Sequence, residues 1–377
     1  MSYYNNWPWG KNQDTLMMRY NGEQYHPDDG FFATTTFSDT AAAFIRRHPA
    51  DQPFFMYLAY NAPDWPLHAT EEDQKQYEGH YDAGWEPVRQ QRFARMKELG
   101  LLGSKAIDLS SAYKTVPDWD LLNPTERQTW SKKMELYAAV MHRMDIDIGR
   151  VVSSLRETNQ LDNTLIIFLS DNGASHEDPN GSWVIYPNDG KPGRVYSFPA
   201  YELPWANVSN TPFRLFKSYL HEGGIRTPLI AHWPKGIAPG NTDQQTVGHI
   251  IDVLPTILNL AGATYPQRFH DRDITPLSGV SLLPAWQGQG QPSERTLFWE
   301  HQYNRALRQG PWKLVSAYKL PSQARRNLWE LYNLDDDPTE LTNLADSQPD
   351  MVNELVQRYE AWAKQVGTLS KQAMDRA

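Results

Sequence analysis

One stretch constrains the fold of this 377-residue chain more than any other. Asn123-Pro-Thr-Glu126 reads as a helix start: an Asn that caps the first turn, a Pro at the first helical position, and a Glu placed to complete a capping box. Apolar side chains follow at Trp130, Met134, Tyr137, Met141, Met144, Ile148, Val151 and Leu155, alternating four and three apart. That spacing holds them on one helical face and predicts a single amphipathic helix to about Asn159. The Met and aromatic stripe reads as core packing. After a short turn over Gln160–Asn163 comes TLIIFLS, a continuous apolar run of strand length. Such a run suits a strand covered on both faces, as in a parallel α/β sheet.

The rest of the chain extends this pattern. SDTAAAFIRRH reads as a short helix with Ser38 as N-cap, stopped by Pro53. PFFMYLAYNAP reads as a buried strand that runs into a loop at Asn61–Pro63. Helices are predicted from Glu71 to Tyr81 and from Gly84 to Leu99, the latter ending at Gly100. FRLFKSYL then TPLIAHWP reads as a second helix–strand pair, and HIIDVLPTILNLAG as a helix that ends at Gly262. Helix and strand thus alternate to about residue 285, the signature of an α/β sheet with helices on its faces. Pro266 to Pro292 is rich in Pro and Gly. Beyond it, RTLFWEH, NRALRQG, PWKLVSA and NLWELYNL read as a small antiparallel sheet, closed by a helix from about Gln348 to Val366. The expected domains are 1–285 and 286–377.

Composition excludes several functions. The chain has no cysteine, so it holds no disulfide, thiolate metal site or cysteine nucleophile. A net charge of −9 makes phosphate-led binding of nucleic acid a poor reading. No apolar stretch approaches the roughly 20 residues of a membrane-spanning helix. The opening MSYYNNWPWGKNQ lacks the basic-then-apolar pattern of a secretory signal. Two glycosylation triplets, at Asn180 and Asn207, are set aside as chance matches.

Candidate chemistry sits where strands end, because ligands of open α/β sheets bind at the carboxyl ends of strands. Asp171-Asn172-Gly173 follows TLIIFLS directly. Its side-chain oxygens suit a hard divalent cation, and the same triplet is a turn former. NAPDWPLHAT follows the other apolar run and carries Asp64 and His68 in a Pro-stiffened loop. A third cluster is Lys217, set among apolar residues, with His221 and Glu222 before Gly223-Gly224.

Taken together these stretches resemble type I sulfatases. APDWPLHATEED, MELYAAVMHRMDIDIGRVVSSLRETNQLDNTLIIFLSDNGAS and WANVSNTPFRLFKSYLHEGGIRTPLIAHWPKGI carry the resemblance. HIIDVLPTILNLAGA, NRALRQGPWKLV and LWELYNLDDDPTELTNLAD continue it in order, so that it covers nearly everything from about Gly30 onward. The resemblance implies an alkaline-phosphatase-like α/β fold: a mixed sheet flanked by helices, with a small C-terminal antiparallel sheet plus helix. It implies hydrolysis of sulfate esters by a formylglycine made from Cys or Ser in a C/S-x-P-x-R motif, with a calcium ion holding a sulfate oxygen. Asp171 and Asn172 match the family's later pair of metal ligands. Lys217 matches a lysine that contacts sulfate and the leaving oxygen.

Two departures shape the expectations. No cysteine is present and no serine begins S-x-P-x-R, so the nucleophile and the family's early pair of metal-binding Asp residues are absent. Ser197-Phe-Pro-Ala-Tyr lacks the Arg and lies after the DNG. Where the family reads A-P-H-W-P-L, Asp64 replaces the His that assists departure of the alcohol. A carboxylate holds no proton to donate at neutral pH, and His68 and His221 are the remaining candidates. The expectation is therefore a sulfatase-like chain lacking its N-terminal segment, inactive alone and weak in calcium binding. Its ligand is a small anionic sulfate ester, and a complementing N-terminal chain or a homo-oligomer covers its open edges. Two alternatives stand beside it: a non-catalytic binding protein, and a phosphate or phosphonate ester hydrolase on the same fold. The family suggests a periplasmic or secreted location.

Overall fold

The computed structural model describes residues 3–4, 18–103, 107–179, 190–238, 240, 246–290, 295–318 and 328–368. The chain divides into two compact units. One comprises Met1–Arg92, Ala112–Thr164 and Ala174–Ser209; the other comprises Phe93–Ser111, Leu165–Gly173 and Asn210–Ala377.

The first unit holds the two-residue strands β1 (Arg19–Tyr20) and β2 (Glu23–Gln24), then α1 (Ala33–Arg47), α2 (Glu71–Lys75), the start of α3 (Trp85–Glu98), α4 (Pro124–Glu157) and α5 (Glu202–Ser209). α4 is the expected long helix. The Asn123 side chain accepts the Glu126 N–H at 3.0 Å, and the Glu126 carboxylate accepts the Asn123 N–H at 2.9 Å, closing the capping box. The apolar stripe is buried at Met134, Met144 and Leu155 but exposed at Met141. Leu136, Ala139 and Val140 are buried as well, so α4 is covered on more than one side. Its neighbour α1 is tied to it by Thr35 Oγ1 donating to Asp147 at 2.7 Å and by the Arg46–Glu157 ion pair at 3.0 Å. Near the other end of the unit Trp85 packs edge-on against Trp119, Trp130 and Trp205.

Three local expectations are corrected here. Ser38 does not cap a helix. α1 starts at Ala33 because its buried stripe already runs through Thr34, and the Ser38 hydroxyl donates back to the Thr34 carbonyl at 2.9 Å. The predicted helix from Glu71 shortens to α2, which Thr70 caps by accepting the Asp73 N–H. The predicted strand at 53–60 pairs with no other strand among the described residues. Exposure alternates along it: Phe55 is 73% and Tyr57 is 84% exposed.

The second unit contains β3 (Ile166–Leu169), α6 (Glu222–Ile225), β4 (Leu229–His232), α7 (Val253–Ala261), the two-residue β5 (Arg268–Phe269) and β6 (Arg272–Asp273), and α8 (Leu283–Trp286). β7 (Thr296–His301), β8 (Asn304–Gln309), β9 (Trp312–Ser316), β10 (Glu330–Asn333) and α9 (Pro349–Val366) follow. β3 and β4 form an antiparallel ladder, Ile166 opposite His232 and Leu169 opposite Leu229, where the apolar run suggested a parallel sheet. All ladders among the described residues are antiparallel. FRLFKSYL is not helical. Buried Leu215, Phe216 and Leu220 anchor an irregular loop in which Leu215 and Ser218 take left-handed φ values of 64° and 78°.

The C-terminal sheet and helix form as expected, in the order β10-β9-β8-β7. Its two faces follow from the two-residue period of a strand. Leu307, Leu314 and Leu331 meet Leu355 and Tyr359 of α9. Their neighbours Ala306, Val315 and Tyr332 meet Leu220 of the irregular loop and Ile225 of α6. With both faces covered, Leu307→Ala is expected to cost about 2–5 kcal/mol. Chemical denaturation of the variant against the parent protein measures it.

Candidate functional site

Asp171 and Asn172 leave β3 at its carboxyl end, Asp171 exposed and Asn172 half-buried. Local bonds shape the turn. Ser170 Oγ donates to the Asn172 carbonyl at 3.0 Å, and Asn172 Nδ2 donates to the Gly173 carbonyl at 2.8 Å. Gly173 then makes the contact that places the turn. Its N–H donates to the Gly224 carbonyl at 2.9 Å, and a Cβ at this position would overlap the Gly223 carbonyl oxygen. The DNG turn and the Gly223-Gly224 segment, two separate motifs in the sequence, are thus one backbone-to-backbone junction.

Lys217 is half-buried in the loop that leads into this junction. The backbone on both sides of it is held by side-chain amides. Asn210 Nδ2 donates to the Leu215 carbonyl at 2.9 Å, and Asn304 Nδ2, from β8, donates to the Ser218 carbonyl at 2.8 Å. Left-handed non-glycine residues persist where surrounding structure holds them.

His221 is completely buried, with Nε2 3.0 Å from Glu330 Oε2 on β10 and no hydrogen-bond partner at Nδ1. Glu330 also accepts from the Tyr332 hydroxyl at 2.6 Å and lies 3.5 Å from Arg214. Burial alone raises the Glu330 carboxyl. The His221 ring, the Tyr332 hydroxyl and the Arg214 guanidinium outweigh it and hold the group at about 2. Glu222 is buried beside Lys313 of β9, Nζ to Oε1 at 2.6 Å, and Lys313 also reaches Glu340 at 2.8 Å. Burial pushes the Glu222 carboxyl up, but Lys313 and then Arg226 pull it below the usual range.

Asp64 and His68 belong to the other unit. Asp64 is exposed, and its Oδ1 accepts the Trp65 N–H at 2.9 Å while the Tyr3 hydroxyl donates to its carbonyl at 2.7 Å. His68 is buried and fully engaged: Nδ1 accepts the Tyr3 N–H at 3.1 Å, and Nε2 faces the Ser197 carbonyl at 2.8 Å. That pairing fixes a neutral ring with its proton on Nε2, a brace between loops and not a group presented to a leaving alcohol. Ser197 is buried too, its hydroxyl donating to the Arg194 carbonyl at 2.6 Å. Asn207 is buried within α5, closed to glycosylation, and the Asn180 triplet lies outside the described residues.

Calcium takes six to eight oxygen ligands. Asp171 and Asn172 match in kind but supply too few. Among the described residues no three or more His, Asp or Glu side chains gather to hold a metal. The sequence reading missed Lys313, Glu330, Glu340, Arg214 and Asn304. The available signal was a charged residue inside a buried apolar strand, as in PWKLVSA and NLWELYNL.

One property of the first unit is testable. Burial depresses His68 to about 4, against the Ser197 bond that raises it. The unfolded chain takes up this proton near pH 6.5 and the folded chain does not, so stability falls as pH drops from about 6.5 toward 4. Denaturation of the parent protein at pH 7 and pH 5 should show a loss of about 2 kcal/mol from this group, absent in His68→Gln.

Comparison with known proteins bears on what this arrangement belongs to. The family model described as Sulfatase matches residues 3–263, and one described as N-sulphoglucosamine sulphohydrolase, C-terminal, matches 213–365. An uncharacterized sulfatase of Schizosaccharomyces pombe is 33% identical over 356 residues, 90% of this chain and 63% of its own length. The arylsulfatase of Klebsiella aerogenes is 32% identical over 274 residues, 70% of this chain and 58% of its own. The crystal structure of Ps i-CgsB superposes with a TM-score of 0.58 at 24% identity, covering 91% of this chain and 57% of that one. This chain therefore spans about three fifths of the length of these relatives. On the family match over most of its residues, the chain belongs to the sulfatase family, type I sulfatases of the alkaline phosphatase superfamily.

Proposed function

We propose that this chain is the part of a sulfate-ester hydrolase that carries the later metal-ligand pair, Asp171 and Asn172, and the sulfate-contacting Lys217. The observation that carries the reading is the Gly173–Gly224 junction. It joins the turn bearing the two oxygen ligands to the segment entered from Lys217, within one compact unit. A half-buried lysine there offsets negative charge that develops on a sulfate and its leaving oxygen, more strongly than in open water. His221, its Nε2 held by Glu330, braces that segment from the sheet side.

The nucleophile is the missing part. No cysteine and no S-x-P-x-R stand in the sequence, so we assign the formylglycine, and the calcium ligands beyond Asp171 and Asn172, to residues outside these 377. Asp64, standing where the resemblance places a His, adds a second deficit. The purified chain, given calcium and an aryl sulfate, is expected to show no saturable turnover. Adding a segment that bears the formylglycine motif should restore activity, and Asp64→His should then raise it. Saturable turnover by the chain alone would overturn this reading.

The extended segment at 53–60 supports the same view. A run of apolar residues that pairs with no strand among the described residues, with outward Phe55 and Tyr57, is a site for strand addition. We assign it to a strand from the nucleophile-bearing segment. Without that segment the chain is expected to self-associate through this edge, giving a mass above 43.4 kDa by light scattering. Phe55→Ser with Tyr57→Ser should return it to monomer. A parent chain that stays monomeric at tens of micromolar would count against the assignment.

A further inference from the structure

Lys313 sits in β9 with no solvent exposure, on the sheet face it shares with Val315, Ala306 and Tyr332. Leu220 and Ile225 pack on that face, which also carries Glu330 opposite Val315 and Arg308 opposite Lys313. Burying a lysine there demands compensation, and two carboxylates provide it: Glu222 at 2.6 Å and Glu340 at 2.8 Å. Glu340 does more than pair with the cation. Its second oxygen accepts the backbone N–H of Glu222 at 2.8 Å. Residue 222 is therefore gripped twice, by its side chain and by its backbone, from one buried cluster. Arg226, 3.5 Å from Glu222, and Arg308, opposite Lys313 in the ladder, add further positive charge beside the Glu222 carboxylate.

The grip falls next to the site. Gly223 and Gly224 follow Glu222 directly, and they are the residues whose carbonyls meet Gly173. Gly223 is held from the other side as well, its N–H donating to the Arg214 carbonyl at 3.0 Å. A short path thus leads from Lys313 through Glu222 and the two glycines to the turn of Asp171 and Asn172. Replacing a buried ionic group with apolar side chains often leaves stability unchanged or improved, so a gain in stability does not account for this cluster. A directional hold on the backbone of residue 222 does.

We propose that Lys313 is a positioning residue for the Asp171–Asn172 turn, acting through Glu222 and Glu340 to set where Gly223 and Gly224 meet Gly173. The functional value of that position rests on the reading of Asp171 and Asn172 as metal ligands; the positioning itself does not. It makes the C-terminal sheet the platform of a site whose ligands lie in a turn far earlier in the chain.

The test is hydrogen exchange of the full chain, read in peptides covering 166–174 and 219–226, for the parent, Lys313→Met and Leu355→Ala. Leu355 packs on the opposite face of the same sheet, so its truncation weakens the sheet without touching the cluster. Lys313→Met is expected to speed exchange in 171–174 at least tenfold. Leu355→Ala, compared at equal distance below each variant's melting temperature, should leave 171–174 as in the parent. Unchanged exchange at 171–174 in Lys313→Met overturns the proposal, and so does equal acceleration in Leu355→Ala. Should Lys313→Met fail to fold, Glu340→Gln, which keeps the volume and weakens the grip, is read by the same criterion. Terbium luminescence of the chain joined to a segment that bears the formylglycine motif separates the two readings: no terbium bound there, together with the exchange difference, overturns the metal assignment and supports the positioning role.

Discussion

The contact between Gly173 and the Gly223-Gly224 segment is the constraint on which the candidate site depends. A hydrogen bond of 2.9 Å joins the two backbones, and no side chain fits between them. Glycine here serves close approach, not conformational freedom, since a Cβ on residue 173 would collide with a carbonyl oxygen. The turn after β3 is thereby fixed by a segment some 50 residues later in the chain. What the turn can bind follows from how firmly that later segment is held.

It is held by charge in an apolar setting. His221 and Glu222 are adjacent in sequence, and each is paired to the C-terminal sheet: His221 to Glu330 of β10, Glu222 to Lys313 of β9. Hydrophobic contact of Leu220 and Ile225 with Ala306, Val315 and Tyr332 gives the face its stability, and the ionic groups give it direction. The opposite face of the sheet, against α9, is purely apolar at Leu307, Leu314 and Leu331. One sheet thus has a face that stabilises and a face that both stabilises and orients.

The other unit shows the reverse situation. At 53–60 an apolar run has no strand partner among the described residues, and Phe55 and Tyr57 stand in solvent. The cost of such an edge is large enough that natural proteins cover it. The chain spans about three fifths of the length of its sulfatase relatives, and its sequence holds no cysteine and no S-x-P-x-R.

Much of this was legible in the residues themselves. The capping box and four–three spacing define α4 because helix signals are local. The C-terminal strands and α9 were equally plain, since alternating patterns and turns are set by near neighbours. Collinear motifs pointed to the sulfatase family and to Asp171, Asn172 and Lys217. Tertiary structure decided what local pattern does not encode. FRLFKSYL has helical composition, yet Asn210 and Asn304 capture its carbonyls and bend it into a loop. His68 looked like a spare acid, and burial between Tyr3 and Ser197 makes it a neutral brace. Lys313, Glu222 and Glu340 lie far apart in sequence and carry meaning only once a buried sheet face brings them within 3 Å. Local pattern in the residues was enough for α4, α9, the C-terminal sheet and the family. Only the fold decided which charges meet, because the free energy of a charge depends on the solvent and partners around it, and those are set by residues remote in the chain.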